Sequence, residues 1–183
     1  MSIIQIVHDP FRQTLVDFAT ENNLMLRLRM LPLVLGLCLN SYAQTAEAPV
    51  YGPKPNTFAQ KLVEETMAKH KDIVILVFHV TNDDGSDYPI IASTIGRYGK
   101  KADEDDLGVI KTGKPVLEVN ATGNHFEVEM QLRDTSKKVL GAVAVVYDYK
   151  AGDNKEAFHK KAEKVRAEME KQITSLKKLT GPA

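Results

Sequence analysis

The chain has 183 residues, 43% of them hydrophobic and 26% charged, which suits one domain with a proper core plus some appended sequence. Lysine plus arginine and aspartate plus glutamate both number 24, and tryptophan is absent. A neutral, aromatic-poor chain lacks the clustered cations and base-stacking surface of a nucleic-acid binder.

Residues 1–43 read as an N-terminal extension and a secretory signal. Met25-Leu26-Arg27-Leu28-Arg29 is a short basic segment, and Met30 to Leu39 is an apolar run. Ser41-Tyr42-Ala43 then places small residues where a signal peptidase reads them. The run falls far short of the roughly 20 residues that span a bilayer. Cleavage near Ala43 would leave the chain in the periplasm or outside the cell. Residues 1–24 precede this signal, so either Met25 is the true start or the basic region is unusually long. The one cysteine, Cys38, lies in the apolar run, and Leu37 stands where a lipoprotein signal carries a small residue. The mature chain would then have no thiol for a disulfide, a nucleophile, a haem attachment or an iron–sulfur cluster. It would also stay neutral, since residues 1–43 hold three cations and three anions.

Residues 44–56 include Pro49, Gly52, Pro53 and Pro55 and read as an extended linker. Asn56 or Thr57 can cap a helix to about Lys71, with Phe58, Leu62, Val63, Thr66, Met67 and His70 on one face. Ile73 to Val80 is a strand apolar on both sides, hence central. A turn cluster, Asn82 to Asp87, leads to a second strand, Tyr88 to Thr94.

A glycine- and cation-rich stretch, Ile95 to Lys101, precedes a helix that Asp103 caps and Gly113 stops. Val116 to Ala121 is the third strand. The fourth, His125 to Arg133, alternates, with Phe126, Val128, Met130 and Leu132 inward and Glu127, Glu129, Gln131 and Arg133 on a wet face. The fifth, Val139 to Tyr147, is again apolar on both sides. Asp153-Asn154-Lys155-Glu156 resembles a capping box, and the apolar spacing through Met169, Ile173 and Leu176 predicts one helix to about Lys178. About 26 helical residues would span about 39 Å, so part of that helix should project or pair with another chain.

The fold class is therefore α+β: a five-stranded antiparallel sheet in the PAS-like order 2-1-5-4-3. Terminal helices lie on one face and a helical crossover on the other. The domain runs over 57–178 and leaves a tail at 179–183.

The run Leu132-Arg133-Asp134-Thr135-Ser136-Lys137-Lys138-Val139-Leu140-Gly141-Ala142-Val143 resembles the late hairpin of extracellular Cache domains. Ile95-Gly96-Arg97, followed by Asp105-Asp106-Leu107 and Lys111 to Pro115, resembles the crossover of that family. The likeness covers roughly residues 57–178; Ser136 departs from it, standing where glycine is more usual. The resemblance implies a sensory module that holds a small molecule between sheet and crossover. It also implies a free exported module, presenting itself to a membrane receptor, kinase or transporter that supplies the output.

The candidate ligand-binding residues are Arg97, Lys100 and Lys101, with Tyr88, Ser93 and Tyr98 as hydroxyls and an aromatic wall, and His79 pointing in. The three cations point to a small anionic organic ligand, unless the acids at 103–106 neutralise them locally. The alternative function is a structural or interaction protein that associates, with itself or a membrane partner, through its terminal helices. Catalytic motifs are missing, the histidines form no metal-ligand pair, and no cofactor is expected.

Overall fold

A computed structural model describes residues 51–183. The signal sequence, its cleavage site, Cys38 and residues 44–50 of the linker lie outside the described residues. The domain holds α1 (Phe58–Lys69), β1 (Ile73–Val80), β2 (Ile90–Ser93), α2 (Glu104–Thr112), β3 (Val116–Val119), β4 (His125–Arg133), β5 (Val139–Asp148), α3 (Lys155–Glu170) and α4 (Leu176–Thr180).

The five strands form one antiparallel sheet in the order β2-β1-β5-β4-β3. The two strands that are apolar on both sides, β1 and β5, sit inside it, because only interior strands are covered on each face. One face carries the main core. Leu76, Phe78, Val80, Phe126, Val128, Met130, Leu132, Val143 and Val145 meet Leu62 and Val63 of α1 and Val165 and Met169 of α3. The opposite face, with Val77, Ile90 and Ala144, lies under the crossover and α2. Among the described residues, no helix is long and apolar enough to cross a membrane.

Several boundaries differ from the sequence expectation, and three of the differences have a clear physical cause. β2 begins at Ile90 rather than Tyr88, because Pro89 has no N–H for a ladder and its carbonyl instead accepts from Val80 N at 3.1 Å. The last helix does not run to Lys178: α3 ends at Glu170, and α4 starts afresh under Ser175, whose side chain accepts from Lys178 N. Met169 and Ile173 are fully buried, so the apolar stripe of this segment is core. Residues 179–183 are not a free tail, since Leu179 is fully buried, Gly181 O accepts from Phe58 N at 2.8 Å, and Pro182 bridges Thr57.

The hairpin between β4 and β5 is held by Asp134. Its carboxylate accepts from Ser136 N, Ser136 Oγ and Lys138 N at 2.8, 2.6 and 3.0 Å. The left-handed residue of this turn is Lys137 (φ 71°), not Ser136. Serine at 136 therefore costs the turn no backbone strain and adds a hydrogen bond.

Candidate functional site

The crossover is shaped by backbone geometry before any side chain acts. Arg97 takes a left-handed φ of 65° and Gly99 one of 88°, which turns the chain back on β2. Gly99 N then donates to Ile90 O at 2.9 Å, and Ile90 N to Lys100 O at 2.8 Å. A Cβ at Gly96 or Gly99 would meet nothing within 4 Å, so these glycines supply conformation rather than room for a close approach. Behind the loop, Asp103 and Asp106 close a capping box on α2. Gln131 of β4 donates to Ile110 O at 2.6 Å and so fastens the C-terminal half of α2 to the sheet.

Between this lid and the sheet lies a cavity of about 480 Å³. Its apolar wall comes from Ile75 and Val77 of β1, Ile90 of β2, and Ala144 and Val146 of β5. Its polar lining is mostly acidic: Asp103, Asp105, Asp106, Glu118, Glu127 and Glu129. Arg97, Lys100 and His79 also line it.

The deepest part of this lining is a buried trio. His79, Asp106 and Glu129 are only 5%, 7% and 5% exposed. His79 Nδ1 lies 2.9 Å from Tyr88 O; a carbonyl can only accept, so that nitrogen carries a proton. Nε2 is left facing Asp106 Oδ2 at 3.5 Å. The same Oδ2 accepts from Asp103 N at 2.8 Å as part of the helix cap. Glu129 lies within hydrogen-bonding reach of Asp106, while its Oε1 is buried without a partner.

Two carboxyl groups this close, away from water, do not both ionise easily. Burial, then Asp106, Glu127 and Asp103, push the Glu129 carboxyl up to about 9. Glu127 is raised as well, by burial and then by Asp106, Glu118 and Asp103. The cavity floor therefore holds a neutral carboxyl beside an acidic cap.

The residues expected from sequence divide into two groups. Arg97, Lys100 and His79 line the cavity, whereas Tyr88, Ser93, Tyr98 and Lys101 do not. Tyr88 contributes its carbonyl to His79 instead of its hydroxyl to a ligand. Ser93 is tied up by α1, with Gln60 accepting from its N–H and donating to its carbonyl at 2.9 and 3.2 Å. Tyr98 donates to that carbonyl from the other side and lines a separate apolar groove with Pro55 and Pro89. Lys101 reaches away to Asp87 at 2.8 Å, and Lys100 pairs with Asp103 at 3.3 Å.

Sequence reasoning missed Glu129, Glu127 and Asp106. Alternation puts Glu127, Glu129 and Gln131 on one face of β4, but that face is covered by α2 and is not wet. The signal was the crossover itself, which had to lie on the side opposite the terminal helices.

No protein-family model matches the sequence, and no curated protein matches it. Solved structures similar to it include two GAF domains. One is from A. aeolicus, the nlh2 GAF domain in an inactive state, at 14% identity and TM-score 0.46, covering 61% of this chain and 82% of that one. Another is the second GAF domain of DevS from Mycobacterium smegmatis, at 12% identity and TM-score 0.41, covering 61% of this chain and 89% of that one. The Cache likeness of the hairpin and crossover remains a likeness of residues, with no family match behind it.

Proposed function

We propose that the chain is an exported, sensor-type domain that holds a small organic molecule between its sheet and its crossover. It catalyses nothing itself, and a separate membrane receptor, kinase or transporter reads its state. The cavity carries this reading: about 480 Å³ sits in the usual range for small-ligand sites, with an apolar wall and a few convergent polar groups. Export rests on the basic, apolar and small-residue segments that end at Ala43.

An anionic occupant, as the cationic loop first suggested, has lost most of its support. Asp103 neutralises Lys100, Asp87 takes Lys101 out of reach, and Arg97 alone lines the cavity without an ion-pair partner among the described residues. Association through the terminal helices is weakened too, since the residues meant to carry it, Met169 and Ile173, are core.

The test is a thermal-shift screen of amines, amino acids and organic acids on chain recovered from the exported fraction, which should begin near Gln44. A true ligand at a hundredfold excess over its Kd should raise the melting temperature by on the order of 10 °C. Ala144→Leu, which fills the cavity from a wall position, should abolish that shift and leave the circular dichroism spectrum intact. A screen without any hit, or a shift that Ala144→Leu leaves unchanged, would reject the cavity as the site.

A further inference from the structure

If the cavity holds a ligand, as proposed above, its walls also say which charge that ligand carries. β4 supplies Glu127 and Glu129, β3 supplies Glu118, and the start of α2 supplies Asp103, Asp105 and Asp106. Against them stand the cations Arg97 and Lys100 from the crossover, with the His79 imidazole of β1 beside them, and Lys100 is already paired with Asp103. Acids on a surface need no such partner, because water solvates them. Glu129 is different: it is 5% exposed, lines the cavity, and leaves Oε1 with nothing to accept from. A buried polar atom in that state is unfavourable until a donor reaches it.

We propose that the cavity takes a small organic cation whose ammonium N–H donates to the Glu129 carboxyl. Asp106 flanks the charged head, and Val77, Ala144 and Val146 receive the carbon stem.

Binding of that cation is coupled to a proton. The empty site holds Glu129 protonated at neutral pH, because burial and Asp106 raise its carboxyl to about 9. An ammonium ion stabilises the carboxylate, so the proton leaves for solvent as the ligand enters, and the net charge on the two sides balances. Affinity then rises by about tenfold per pH unit up to that value, for as long as the complex keeps Glu129 ionised.

The experiment is calorimetric titration of the full chain with butylammonium chloride and with sodium butyrate. It is run at matched ionic strength, at pH 6 and 8, in two buffers of different ionisation enthalpy. Butylammonium should bind about 100-fold more tightly at pH 8 than at pH 6 and release about one proton, while butyrate should not bind. Glu129→Gln, with its melting curve confirming the fold, should bind butylammonium more weakly and lose the pH slope. Ala144→Leu should abolish binding.

Butylammonium binding that is flat with pH, or unchanged by Glu129→Gln, would overturn the proposal. So would binding that survives Ala144→Leu. Butyrate binding that Ala144→Leu removes would overturn the cationic ligand and keep the cavity. Silence from both probes would overturn the cation, and the wider amine and acid screen would then decide separately whether the cavity binds anything.

Discussion

Glu129 behaves as it does because β4 points it at the one place where α2 and the sheet exclude water. Its ordinary value is 4.5, and the folded chain holds it near 9. Between those values the folded protein keeps a proton that the unfolded chain has lost, so stability falls as pH rises, by about 1 kcal/mol per unit from this group. Below about 4.5 both states are protonated and the contribution is constant. Glu129→Gln keeps the shape of the neutral carboxyl and removes the titration. The variant should therefore melt close to wild type at pH 5 and several degrees above it at pH 8. Thermal denaturation at the two pH values checks this, and a gap that does not widen toward pH 8 would refute the buried neutral acid. His79, Arg97 and Lys100 could be found from the sequence because each is a polar residue breaking an apolar or glycine-rich pattern. The acids could not. Alternation states which side chains share a face and is silent on what covers that face, and Asp106 looked like one of four exposed helix-start acids.

At the level of elements, Gly141 is, among the described residues, the glycine with the least room for a side chain. A Cβ there would lie 1.9 Å from His79 O, because β5 runs against β1 with Gly141 opposite Val80. Gly141→Ala must push two central strands apart, and we expect a loss of about 3 kcal/mol or more in chemical denaturation, with no gain possible from reduced unfolded-state freedom. A change of under about 1 kcal/mol would show that the strands approach less closely. The order of the strands was legible because β1 and β5 are apolar on both sides and β4 on one. The end of α3 was not. Met169, Ile173 and Leu176 keep helical spacing across a turn, since Ile173 is buried outside any helix and its carbonyl accepts from Thr135 N at 2.8 Å. Glu170 adds a second tie there, accepting from Arg133 N at 3.1 Å beside the irregular register of β4 and β5. Ser175, a good cap residue inside the apparent helix, was the cue that outweighs the spacing.

At the level of the whole described domain, terminal helices on one face of the sheet and the crossover on the other follow from the sequence pattern, but the way the domain's ends are finished does not. Hydrophobic spacing had no means of showing that 181–182 returns to 57–58, because that contact is made by backbone groups and a glycine–proline pair. The Phe58–Gly181 hydrogen bond and the Thr57–Pro182 bridge bring the two ends of the domain to one point. Lys178 lies over the Phe58 ring, 4.3 Å from its centre, and adds to that clasp. Mechanically, the domain would thus hang from this clasp when both of its ends are pulled. Tension applied through both ends loads this small clasp as a zipper, bond by bond, while the strands of the sheet carry almost none of it. A single-molecule pulling trace should therefore show a short, low-force first step as α4 peels from α1, before the high-force rupture of the sheet. A single rupture with no early step would mean that the ends are held by more than these bonds.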